Sequence, residues 1–70
     1  MDTVTGIVAK VYRKGLTIYG NPIVDVIVDG DEYRISDNAS LIYAIDNAEF
    51  KEYPHTFALT KAGRISKVIR

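Results

Sequence analysis

The chain has no cysteine among its 70 residues. Disulfides and thiolate zinc sites, the usual staples of very small domains, are therefore excluded. With one histidine, there is no second imidazole to complete a nitrogen-ligated metal site either. Apolar runs are only a few residues long, far below the ~20 that span a bilayer as a helix. No basic-then-apolar leader opens the sequence, so the expected location is the cytoplasm, with no membrane partner. There is no excess of either charge, with nine Lys and Arg against nine Asp and Glu. That balance argues against a general polyanion binder.

What is present is the composition of one globular domain: 47% hydrophobic residues and 26% charged ones. At this length a single core is all the chain can build, and its stability rests on closing that core well. The balanced charge is unevenly spread. Residues 1–24 carry +2, residues 25–52 carry −6 and residues 53–70 carry +4. This matters for function if the fold brings the two basic ends together.

Residues 3–12 alternate and are rich in β-branched side chains, which predicts a strand, with Gly6 marking a bend or bulge. Gly20-Asn21-Pro22 is a turn, and residues 16–19 read as a short arm on the hairpin before it. Residues 23–28 are the clearest strand. Val24, Val26 and Val28 are assigned to the core, and Ile23, Asp25 and Ile27 to the open face, because a buried carboxylate is costly without a partner. Asp29-Gly30 favours a tight type I′ turn into a third strand over residues 32–36, with Tyr33 and Ile35 inward. The apolar period then changes. Leu41, Ile42, Ala44 and Ile45 predict a short helix over residues 38–46, capped by Asp37 or Asn38. Phe50, Tyr53 and Pro54 read as an irregular connector, followed by strands over residues 55–60 and 65–70 around a turn at residues 61–64.

Three strands, a helix and two strands make a mainly β chain. The expected architecture is a small five-stranded barrel, OB-like (the oligonucleotide/oligosaccharide-binding fold), because in that fold one helix lies between strands three and four. An SH3-like barrel is the alternative; it usually places a helical turn between strands four and five. One domain covers residues 1–70.

The pieces Val11-Tyr12-Arg13, Gly20-Asn21-Pro22, Tyr43-Ala44-Ile45 and Gly63-Arg64-Ile65, in this order, resemble a pattern in small bacteriophage and prophage proteins of similar length. The resemblance implies a viral origin and a bacterial host cell. It brings no activity, ligand or residue roles.

On an OB-like barrel the loops at residues 13–22 and 61–64 flank the ligand face. Arg13, Lys14, Lys61 and Arg64 supply cations there and Tyr19 a stacking surface, the chemistry that single-stranded nucleic acid or a nucleotide requires. Lys10 and Lys67 extend the patch. Against this, the face of Ile23, Asp25, Ile27, Glu32 and Arg34 lacks stacking aromatics. Ile23 and Ile27 with Asp25 offer a second candidate, an interface for a homodimer or a protein partner, such as the target of a phage inhibitor or assembly factor. His55 reads as a strand-edge residue. The turn glycines form no phosphate-binding fingerprint and the serines no nucleophile context, so neither a catalytic site nor a cofactor is expected.

Overall fold

The computed structural model describes residues 2–37 and 39–69. Strands β1 (Thr3–Gly6) and β2 (Val8–Leu16) are one long extended segment broken only at Ile7. The break has a steric origin. A Cβ on Gly6 would stand 3.1 Å from the backbone nitrogen of Asp29, so the chain bends here at a residue that has none. Strands β3 (Pro22–Val28) and β4 (Asp31–Arg34) follow, joined by Asp29-Gly30. Both turn residues have positive φ, 52° and 83°, as a type I′ turn requires. Two short helices come next, α1 (Leu41–Ala44) and α2 (Ala48–Glu52), then β5 (His55–Leu59) and β6 (Ile65–Ile69).

The strands form two three-stranded antiparallel sheets, ordered β2-β3-β4 and β1-β5-β6. They meet in two places. The bent strand passes from one sheet to the other at Ile7, and Ile35, just after β4, makes a single parallel bridge to Ile65 at the start of β6. Ile35 N–H donates to the Val24 carbonyl and Ser36 N–H to the Ile65 carbonyl, 2.9 and 2.8 Å away. Valines 24, 26 and 28 face inward as expected, and Phe57, Phe50 and Ile45 fill the space between the sheets and the helices.

The expected five strands and single helix are thus corrected, among the described residues, to six strands and two helices, and there pairing is not continuous around a closed barrel. The extra strand comes from the Gly6 bend, and β2 runs on to Leu16. The helix expected over residues 38–46 is only four residues long. Its N-cap is Ser40 rather than Asp37; Asn38 lies outside the described residues, as does Arg70 of the last strand. The connector holds a second helix, α2. Neither helix is long enough to stand alone; buried Leu41, Ile42 and Phe50 dock them on the sheets.

Candidate binding surfaces

Adjacent residues of a strand point to opposite faces, and this separates the cations expected in one loop. Arg13 and Lys14 belong to strand β2, so the connecting loop shrinks to residues 17–21. Arg13 pairs in register with Val24 on the inner face and reaches the helical segment. Its Nε donates to Asp46 Oδ2 at 3.0 Å, and its Nη2 donates both to that carboxylate and to the Ile42 carbonyl at 3.3 Å. It thus ties the end of α1 to the sheet.

Lys14 goes the other way, onto the outer face. Its Nζ lies 2.8 Å from Asp25 Oδ2 and 3.8 Å from Glu32. Arg34, opposite Asp25 in the β3–β4 register, donates from Nε to Asp25 Oδ1 at 2.9 Å and from Nη2 to Oδ2 at 3.4 Å. Asp25, expected on the open face, is therefore buried, with 5% of its surface exposed. The long stems of its two partners lie across it. The Arg34 hydrogen bond is the main cause that holds its carboxyl below the ordinary carboxylate range; burial opposes this, and Lys14 adds to it. The same contact raises both cations, so all three groups are charged at neutral pH. Ile23 and Ile27 are half-buried beside this network, not an open apolar face. Ile27 lines a shallow depression of about 330 Å³ with Tyr12, Lys14 and Glu32.

A cleft of about 340 Å³ runs along β4. Asp25, Glu32, Tyr33 and Arg34 line one side, and Ala62, Gly63 and Arg64 the other. Of the five residues expected to bind nucleic acid, it takes in Arg64 alone. Arg64 Nη1 stands 3.9 Å from Asp37. Lys61 is exposed in the same turn as Arg64 but does not line the cleft. Lys10 is on β2 and Lys67 on β6, in different sheets. Lys10, Lys61 and Lys67 form no ion pair among the described residues.

Tyr19 stands at the tip of the β2–β3 hairpin. This tip is the feature that sequence reasoning undervalued. Gly15 to Val24 is an uncharged stretch, and on it Leu16, Ile18 and Tyr19 are 66%, 93% and 85% exposed. The tip is also internally bonded. Thr17 and Asn21 close it through a 2.8 Å backbone hydrogen bond, and the Thr17 hydroxyl accepts from the Tyr19 and Asn21 N–H groups. The signal was available in the charge-free run around an aromatic and two aliphatics, in a segment already read as an arm.

His55 packs its ring 4.8 Å from Phe50, and its Nδ1 donates to the Tyr53 carbonyl. Among the described residues, no group of three or more His, Asp or Glu side chains is placed to hold a metal ion, and no helix is long and apolar enough to cross a membrane. Comparison with protein-family models, curated proteins and solved structures gives no match.

Proposed function

We propose that this chain is a non-catalytic binding module on an OB-like barrel, and that it works by protein contact through the β2–β3 arm. The fold reading is supported by the order of pairing. Going round from the bent strand, β2 meets β3, β3 meets β4, the Ile35–Ile65 bridge leads to β6, and β6 pairs with β5, which returns to β1. An OB barrel follows the same order, with a parallel contact between its third and last strands and a helical segment between its third and fourth.

The observation that carries the function is the arm itself. Three large apolar side chains stand in water on and beside a turn that the Thr17 hydrogen bonds close, so the cost of ordering it on binding is small. A phage-encoded inhibitor or assembly factor works through contacts of this kind. Each aliphatic side chain that enters a partner's pocket contributes roughly 1.5–3 kcal/mol.

The test is the double substitution Ile18→Asp with Tyr19→Ser. Because both side chains are exposed, the melting temperature is expected to stay at that of the parent. A partner identified by capture on the parent chain, then purified, is expected to bind the variant at least tenfold more weakly. Equal binding would remove the arm from the interface.

A second reading, single-stranded nucleic acid or a nucleotide, is favoured by the cleft, where Arg34 and Arg64 stand beside Tyr33. It expects affinity for a short single-stranded DNA that falls steeply with salt and is lost in Lys61→Ala with Arg64→Ala. Binding indifferent to those substitutions would dismiss it.

A further inference from the structure

The cleft along β4 has a second property, independent of the arm. In an antiparallel pair, alternate residues turn both backbone polar groups toward the partner strand and the residues between them turn theirs away. The Ile35 N–H bond to Val24 sets the phase: Ile35, Tyr33 and Asp31 face β3. Glu32, Arg34 and Ser36 face the other way. Ser36 already meets β6, since its N–H donates to the Ile65 carbonyl. The N–H and C=O of Glu32 and the N–H of Arg34 point into the cleft, where β4 has no neighbouring strand among the described residues.

We propose that this edge takes an extended peptide, which adds a short strand beside β4 between Glu32–Arg34 and the turn at Ala62, Gly63 and Arg64. Two observations choose a peptide over a polynucleotide. The first is the row of outward amide groups, which an extended backbone matches and a phosphate chain does not. The second is the charge of the lining. Asp25 and Glu32 cancel Arg34 and Arg64, Arg34 is held by Asp25 through two of its nitrogens, and the Glu32 carboxylate would repel phosphates.

The same side chains define the ligand. Side chains directly opposite across a strand pair prefer opposite charge. The peptide is therefore one with a basic residue opposite Glu32 and an acidic one opposite Arg34, two positions apart.

The probe is a displayed library of short random linear peptides selected on the parent chain. Enrichment of sequences with an acidic and a basic residue at that spacing is the expected result. On binding, the Glu32 and Arg34 amides should become slow to exchange by NMR. Glu32→Pro removes an outward donor but no β3 bond and should weaken a selected peptide about tenfold. Glu32→Lys tests the same contact without touching the backbone. It should lose the parent's peptide and gain the one whose basic residue is replaced by an acidic one. Ile18→Asp, on the arm, should leave peptide affinity unchanged, so a failed arm and a failed edge are told apart. No enrichment, selected peptides that bind both Glu32 variants as tightly as the parent, or displacement of the peptide by a single-stranded oligonucleotide would each overturn the proposal.

Discussion

Phe57→Ala is expected to unfold the chain under conditions where the parent is fully native. Phe57 has no solvent-exposed surface and pairs with Val4 and Val68 on the strands to either side, with the Phe50 ring 5.9 Å away. It therefore joins the β1-β5-β6 sheet to α2, and truncating it leaves a cavity between them. Removing a buried phenylalanine costs about 3–5 kcal/mol. A domain of this size has a total stability on the order of 5 kcal/mol. The measurement is a urea melt followed by circular dichroism. Phe57→Leu, which keeps most of the volume, should retain a cooperative transition at lower urea. If Phe57→Ala melts within about 1 kcal/mol of the parent, the core repacks around the gap.

The second large effect concerns Asp25, and its signature is a reversed dependence on pH. In the parent, the Asp25 carboxyl titrates below its unfolded value because Arg34 and Lys14 stabilise its charge. A depressed carboxylate contributes stability that is present above the unfolded pKa of about 3.9 and is lost as pH falls toward the folded value. The parent should therefore weaken on acidification below about pH 4.

Lys14→Met with Arg34→Met keeps aliphatic cover over the carboxyl and removes both charges. Burial then acts alone and raises the carboxyl, so the sign inverts. A buried charge left without a partner costs about 3–5 kcal/mol. The loss should be greatest at neutral pH and should recover as the carboxyl protonates on acidification. Urea melts between about pH 4 and 7 read this directly. Asp25→Asn in the same background should flatten the profile. A double variant whose stability still falls with acid would show that Asp25 is solvated once its partners are gone.

These two residues also mark what could be read from the sequence. The hairpin of β3 and β4 was plain because everything that sets it is local: alternating valines and a dipeptide that accepts two positive φ angles. The inward set of Val24, Val26, Val28 and Ile35 followed from the same alternation. Asp25 did not follow, because its burial depends on Lys14 and Arg34, which come from two different strands. Counting cations along the chain suggested basic loops. The position of Asp46 beside Arg13, 33 residues away in sequence, is set by the fold and changes what Arg13 can do. Helix α2 was missed for a related reason. Its five residues are ordinary helix formers, and its place is fixed by Phe50, which no local pattern shows to be a core residue. The arm was seen as an arm, but its exposure depends on β4 stopping at Arg34 and so leaving the far end of the hairpin uncovered.

The bent first segment has a consequence for the order of assembly. Strands β2, β3 and β4 are neighbours in sequence and can pair as they become available, each through a short turn. Strand β1 precedes them all, yet its partner is β5: Thr3 lies opposite Ala58. The chain must therefore carry β1, with its one core residue Val4, unpaired until β5 is present and the Ile35–Ile65 bridge can form. Closing such a loop is the slow step in a β-rich domain. In the time before it closes, Val4 and the inner valines of the first sheet are open to whatever else is in solution. Folding yield in the cell should thus respond more to crowding and chaperone supply than the stability of the finished molecule suggests.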